Sequence, residues 1–278
     1  MFYVSRSHYS MSVRKRFRYT KRLLIVMKRF SGRSNVGRLV FFGRGGGYKN
    51  YYRLVDFKRT LYNIPGKVLT FEYDPNRNMY IMLVLYLNGT LSYLLAPKLI
   101  RKNNYVYNNI DSKKLPNTKV YKVGNLLSLS NCATGSFIHC LKIDSVISKY
   151  GRAAGTCIQV IRKIGYSVLL RFPSKEERFV NLNNSCILGR LANGHIKLLK
   201  YTSAGYMRRI GRKSSVRGVA KNPIDHPHGG GEGRTTAGQP SVTPRGFFTK
   251  GIRTTTRFVR FNLSRWGFFK RRNKIVWS

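Results

Sequence analysis

The chain has 278 residues, 42% of them hydrophobic, and carries 53 Lys and Arg against 9 Asp and Glu, a formal net charge of +44. That apolar content can build one large or two small cores, but so much like charge opposes compaction unless a polyanion neutralises it. Nucleic acid fits, because each neutralised phosphate also releases condensed counterions; an anionic membrane is the alternative, and no clear amphipathic basic helix or lipid anchor supports it.

Residues 1–58 form a basic entry segment with no acid before Asp56. Its first 30 residues, rich in Arg, Lys, Ser and aromatics, fit a mitochondrial transit peptide and a basic RNA-contacting arm equally. Arg14-Lys15-Arg16-Phe17-Arg18-Tyr19 alternates cations with aromatics, and Gly32-Arg33 and Gly37-Arg38 follow. Gly43-Arg44-Gly45-Gly46-Gly47-Tyr48-Lys49 concentrates glycine, which lets backbone approach another molecule closely. Interleaved cations suit phosphates and aromatics suit bases; a flexible linker is the plainer alternative.

Residues 59–123 read as strands. Lys67–Tyr73 is partly alternating and β-prone, Asp74-Pro75-Asn76-Arg77 is a turn, and Ile81–Tyr86 is a buried strand pattern. Asn88-Gly89 predicts a hairpin returning through Leu91–Ala96 to Pro97. Val106–Leu115 is polar and loop-like. The longest apolar run, Ile81–Leu87, is far shorter than the roughly 20 residues of a membrane helix.

Residues 124–196 hold a second set of short strands, at Ser136–Ile143, Thr156–Ile161, Ser167–Phe172 and Arg178–Leu182, with a further one at His195–Leu199 on its boundary. Cys132, Cys140, Cys157 and Cys186 form no C-x-x-C pair. Cys132, His139, Cys140 and Cys157 match no standard zinc spacing, so core or surface thiols in a reducing compartment are expected, with no metal and no cofactor. Short strands with close turns and no long helical periodicity predict an all-β chain of two small barrels. Residues 197–278 are basic again, with Arg208-Arg209, Arg212-Lys213, Lys221, Arg234 and Lys270-Arg271-Arg272, frequent Pro and Gly, and no apolar period. Such a segment orders when RNA supplies the missing contacts.

Several strings resemble one family. They are Tyr52-Arg53-Leu54-Val55-Asp56-Phe57-Lys58-Arg59, Glu72-Tyr73-Asp74-Pro75-Asn76-Arg77, Leu94-Leu95-Ala96-Pro97-Lys98, Gly151-Arg152-Ala153-Ala154-Gly155-Thr156 and Val216-Arg217-Gly218-Val219-Ala220. The most specific runs from Asn222-Pro223-Ile224-Asp225-His226-Pro227-His228 to Gly229-Gly230-Gly231-Glu232-Gly233. In order and spacing, from about residue 31 to about residue 257, these resemble universal ribosomal protein two of the large subunit, in its bacterial and organellar form. The resemblance implies an oligonucleotide-binding-type barrel over 59–123, an SH3-like barrel over 124–196, and extensions over 1–58 and 197–278 that reach into ribosomal RNA. It implies a structural constituent near the peptidyl-transferase centre, with roles in assembly, subunit association and tRNA positioning. The partners implied are large-subunit rRNA, neighbouring ribosomal proteins and the small subunit across the interface, with no membrane. The RNA contacts it implies are Arg33, Arg38, Lys49, Arg53, Lys58, Arg59, Arg77, Lys98, Arg152, Arg217, His226 and His228. The basic and glycine patterns add Arg44, Arg208, Arg209, Arg212, Lys213, Lys221, Gly229, Gly230, Gly231 and Arg234. The chain departs from the family pattern at Tyr48, where His is usual, at Arg245, where an aromatic is common, in a shortened segment before Arg152, and throughout 258–278.

His226-Pro227-His228 invites an acid–base or metal reading, but general catalysis needs a substrate pocket and a positioned partner, and the spacing suits no metal. Contacts to phosphates or sugar hydroxyls, with protonation favoured beside phosphate, are expected instead. Gly43–Gly47 lacks the P-loop form. A non-enzymatic rRNA scaffold is therefore expected over a general DNA binder, for which no recognition helix is evident, and over a free enzyme. The 18 Tyr and 16 Phe, with many Asn and Ile, suggest an organellar genome, so a mitochondrial location is expected, with chloroplast or bacterial cytoplasm as alternatives.

Overall fold

A computed structural model describes residues 20–108, 121–143, 147–233 and 238–251. These divide into two compact units, one of residues 20–27 and 50–199, the other of residues 28–49 and 200–251. The aromatic-cation run before Thr20, Arg234 and the terminal basic cluster lie outside the described residues.

In the first unit, β1 (Leu24–Val26) and β2 (Tyr51–Arg53) pair as a short antiparallel ribbon. Next come β3 (Gly66–Tyr73), β4 (Tyr80–Tyr86), β5 (Leu91–Leu95) and β6 (Tyr105–Val106), an antiparallel sheet in the order β5-β4-β3-β6. The expected hairpin is present: Gly89 takes φ 79° and its N–H returns to the Tyr86 carbonyl at 2.9 Å. A second antiparallel sheet has the order β11-β10-β9-β8-β12-β7. It comprises β7 (Leu126–Ser128), β8 (Phe137–His139), β9 (Ile158–Ile164), β10 (Ser167–Arg171), β11 (Glu177–Asn181) and β12 (Ser185–Leu188). The chain is thus all-β, with two barrel-type sheets, as the short strands and turns predict.

The two-residue period of a strand distributes its side chains between cores. On β4, Ile81 and Leu83 join Leu126, Cys140, Ile187 and Leu191 of the second sheet's segment, while Met82, Val84 and Tyr86 turn to the opposite face with Val68 and Leu94. Likewise Leu127, Cys186 and Leu188 enter a third cluster with Ile138, Ile158, Val160, Val168 and Leu170. The central cluster, shared by both sheets, explains why they form one unit. Backbone bonds reinforce it, from Lys98 N–H to the Arg190 carbonyl (2.7 Å) and from Ala192 N–H to the Ala96 carbonyl (3.1 Å).

Sequence and structure differ at identifiable places. His195–Leu199, expected as a strand, lies in a 3-10 helix, Gly194–Leu198. Asn193 precedes it in the left-handed region (φ 60°), turning the chain out of an extended course, and Leu198 is left 80% exposed. The strands β1, β2, β6, β7 and β12 are two to four residues long, too short for alternation to reveal.

A guanidinium sits inside this core. Arg59, expected to touch RNA, is 2% exposed, and its Nη1 donates to the Gly124 carbonyl at 2.7 Å. Burial lowers its pKa, opposed by Tyr86, Cys140 and Asp56. Asp56 Oδ1 accepts from the Lys58 and Arg59 N–H groups at 2.9 and 2.8 Å. Lys142 Nζ donates to the Lys58 carbonyl and Ser148 Oγ to the Phe57 carbonyl. Residues 56–59 are therefore clamped from the second sheet's side, and Arg59 serves the fold rather than the surface.

The second unit has one described α-helix, α1 (Ala204–Ile210). Ser203 Oγ accepts from the Tyr206 N–H as its N-cap, and Gly211 ends it in the left-handed region at φ 94°. Most of its described large apolar side chains, including Phe41, Phe42, Val216 and Ile224, are exposed, and none belongs to a core cluster.

His139 on β8 is fully buried; its Nδ1 donates to the Gly189 carbonyl at 2.9 Å and its Nε2 has no protein partner. Burial, reinforced by Arg59 and opposed by the Gly189 bond, lowers its pKa from 6.5 to about 4. The unfolded chain therefore binds the extra proton first, so this contribution to stability is complete above pH 6.5 and lost as pH falls towards 4. The loss amounts to about 3 kcal/mol. Denaturant unfolding from pH 7 to pH 4 should show it, and His139→Asn, which keeps a donor for Gly189, should remove most of that pH dependence.

Candidate nucleic-acid interface

Two surfaces collect the expected RNA contacts, one in each unit. The first begins with the turn after β3. Asp74 is fully buried, and its Oδ1 accepts from the Asn76 N–H at 2.9 Å, closing an Asx turn. The same carboxylate pairs with Arg77, and Arg53 on β2 stands 3.9 Å away. Arg77 also donates to the Tyr52 hydroxyl at 2.9 Å. Its guanidinium lies 5.1 Å from the Tyr52 ring and 5.8 Å from the Phe57 ring, and Arg152 approaches Phe57 at 5.0 Å.

One buried carboxylate and two aromatic rings thus fix three arginines that are distant in sequence. Beside them opens a cavity of about 240 Å³, lined by Arg77, Asn78, Met79, Arg152, Ala153, Ala154, Ile196 and Lys197. Its lining combines the cations Arg77, Arg152 and Lys197 with the apolar Met79, Ala153, Ala154 and Ile196, which suits a phosphate with an unpaired base or sugar. Lys197, Tyr52 and Phe57 were not anticipated as site residues. The two rings lie in the same string as Arg53 and Lys58, which was a usable signal, whereas Lys197 is brought in only by the 3-10 helix.

Lys58 and Lys98 are exposed elsewhere on this unit and do not join the cluster.

The second unit is built on paired backbone. The Gly43–Gly47 cluster runs beside the end of α1: Gly45 N–H donates to the Gly211 carbonyl (3.0 Å), Lys213 N–H to Gly43 (2.9 Å) and Tyr48 N–H to Arg209 (3.2 Å). A side chain at Gly47 would meet the Arg209 carbonyl at 2.8 Å and the Gly211 nitrogen at 2.9 Å. Glycine at position 47 is thus required by the chain's own paired strings. The packing of these strings leaves Arg33, Arg38, Arg44, Lys49, Arg208, Arg209, Arg212, Lys213 and Arg217 on the exposed side. Arg44 and Lys221 reach over Phe41 and Phe42, at 5.3 and 5.5 Å from the ring centroids.

The histidine string folds into a tight loop. His226 and His228 stack with centroids 5.1 Å apart. His226 Nδ1 accepts from the His228 N–H at 3.0 Å, and His228 Nε2 accepts from the Val242 N–H at 2.9 Å. In each neutral ring the basic nitrogen is therefore already occupied, and the other nitrogen carries the proton. Partial burial, then His228 and Lys221, lower the pKa of His226, so protonation is disfavoured here in the absence of a neighbouring anion. A Cβ on Gly229 would fall 2.4 Å from the Asn222 carbonyl and 2.5 Å from that of Lys221, and one on Gly230 would meet Pro223 at 2.8 Å. Gly229 and Gly230 close the loop on itself, which differs from the expected role of admitting RNA. Gly231 is exposed. Among the described residues no group of three His, Cys, Asp or Glu could hold a metal ion, and no helix is long and apolar enough to cross a membrane.

The family described as Ribosomal Proteins L2, RNA binding N-terminal domain, matches residues 20–108, and its C-terminal domain matches residues 122–246. Similar curated proteins include the large ribosomal subunit protein uL2 of Methylococcus capsulatus, 42% identical over 84% of this chain and 82% of that protein. The large ribosomal subunit protein uL2m of Reclinomonas americana is 42% identical over 85% and 84% respectively. The uL2 of Leptothrix cholodnii is 39% identical over 81% and 80%.

Removing the carboxylate of Asp74 should leave Arg77 without its buried counter-charge. Asp74→Asn is expected to destabilise the first unit by about 3 kcal/mol, read by denaturant unfolding. An unchanged midpoint would contradict the organising role assigned to this carboxylate.

Proposed function

Because this chain belongs to the ribosomal protein L2 family, we propose that it is a structural constituent of the large ribosomal subunit whose two cationic surfaces hold ribosomal RNA. The observation that carries this reading is the pairing of Arg53 and Arg77 with Asp74, with Arg152 over the Phe57 ring and a cavity lined by both cationic and apolar side chains beside them. Fixed guanidiniums engage phosphates bidentately, and the cavity takes an unstacked nucleotide. The second unit contributes a cationic face whose exposed aromatics stack on bases.

In this reading the RNA contacts are Arg33, Arg38, Arg44, Lys49, Arg53, Lys58, Arg77, Lys98, Arg152, Arg208, Arg209, Arg212, Lys213, Arg217, Lys221, Arg234, His226 and His228, while Arg59 belongs to the fold. Residues 59–123 and 124–196 are the two barrel domains, and 1–58 and 197–278 the RNA-reaching extensions. The finer placement near the peptidyl-transferase centre, with roles in assembly, subunit association and tRNA positioning, is part of the same proposal, as is contact with neighbouring ribosomal proteins. The histidine pair shapes the loop rather than acting as a general base, since each basic nitrogen already accepts an amide proton and His228 Nδ1 is buried. A mitochondrial ribosome is the proposed location, supported by the aromatic-rich composition and the mitochondrial relative.

The test is RNA affinity as a function of salt. Arg77→Ala and Arg152→Ala should each weaken binding and reduce the log–log salt slope by roughly one. Gly229→Ala, which distorts the loop without removing charge, should weaken binding at every salt with the slope unchanged. The full chain should co-sediment with large subunits; equal slopes for all three variants would contradict the reading.

A further inference from the structure

The second sheet encloses two thiols that the RNA-facing chemistry does not use. Cys132 follows the 3-10 turn Leu129–Asn131, and Cys186 lies on β12. Both are fully buried in the same core cluster, and their sulfurs stand 3.3 Å apart. Backbone bonds build this proximity: Leu129 N–H donates to the Asn184 carbonyl (2.8 Å) and Ser130 N–H to that of Leu182 (3.1 Å), tying the turn to the segment entering β12. Cys132 Sγ is also 3.5 Å from the Ser128 carbonyl. Cys140 lies in a different cluster, and Cys157 is only half-buried.

We infer that Cys132 and Cys186 are an oxidisable dithiol, a modification site at which a hydroperoxide installs an intrachain disulfide. The step from sulfur contact to a bond of about 2 Å is short, and both sulfurs are already held on facing segments. Cys132 is the attacking thiol: the hydrogen bond with Cys186, opposed by burial and aided by the nearby Lys163 ammonium, lowers its pKa, while Cys186 is raised by the same pairing and by burial. Its thiolate attacks one peroxide oxygen and breaks the O–O bond, giving a sulfenic acid and one water. The Cys186 sulfur then displaces hydroxide from that sulfur, and the hydroxide takes up the second thiol proton as a further water. Overall two thiols lose two electrons and two protons, and hydrogen peroxide is reduced to two waters. Access requires local opening of β7, a three-residue strand at the end of the sheet order that is bonded to β12 and, through Leu126 alone, bridged to Asn108. The bond would close a span of 54 residues that includes β8 to β11, restricting the unfolded chain and raising the thermal midpoint.

Purified full-length chain, and large subunits containing it, would be titrated with hydrogen peroxide, denatured in N-ethylmaleimide and mapped by mass spectrometry without reduction. The expected result is one linked species of the Cys132 and Cys186 peptides, lighter than their sum by two hydrogens, with both thiols regained on adding dithiothreitol. The thermal midpoint of the oxidised chain should rise, and dithiothreitol should reverse it. Cys132→Ser should leave Cys186 free to alkylate and abolish the rise; if that variant does not fold, the wild-type peptide map decides alone. Alkylation of both thiols at a dose that oxidises Cys157, or linkage of either to Cys140 or Cys157, would overturn the inference.

Discussion

Positive charge must be kept out of apolar surroundings unless it is paired or hydrogen-bonded, and the architecture follows from that constraint. The first unit collects the apolar side chains into three clusters, with the central one shared by both sheets. Where a cation enters, it is answered: Arg59 by the Gly124 carbonyl, Lys142 by the Lys58 carbonyl, Arg77 by Asp74. The second unit takes the complementary solution. It has no described hydrophobic cluster and joins its two chain segments through backbone bonds between glycine-rich strings, leaving its cations on the surface.

The same constraint shapes the candidate interface. Carboxylates are rare in this chain, and Asp74, Glu176 and Glu177 each pair with an arginine. Asp74 gathers Arg53 and Arg77, and the rings of Tyr52 and Phe57 support Arg77 and Arg152 from the side. Arginines held in this way lose less freedom on meeting a phosphate than arginines on a mobile arm. In the histidine loop both imidazole rings accept from amides of the same chain.

Much of this was legible in the residues. Alternation and the Asn88-Gly89 turn gave β3, β4 and β5 within about a residue of their observed ends, and the charge gave the partner class. What stayed hidden depends on contacts distant in sequence. Arg59 sits in a basic string and looks like a surface residue; only the packing of residues 56–59 against Lys142 and Ser148 makes it internal. Gly47 and Gly229 read as openings for RNA, yet the atoms that demand glycine there are the chain's own carbonyls. The meeting of residues 28–49 with 200–251 in one unit was not legible, because it rests largely on backbone bonds between distant strings, and the glycines that permit them carry no mark of their partner.

The central claim is that the first unit is stable by itself and the second is held by RNA. Hydrogen–deuterium exchange of the full chain, free and bound to large-subunit RNA, tests it directly. The account predicts slow exchange across β3–β5 and β8–β12 in both states, and slow exchange in residues 28–49 and 200–251 only in the bound state. Equal protection of those residues without RNA would contradict it.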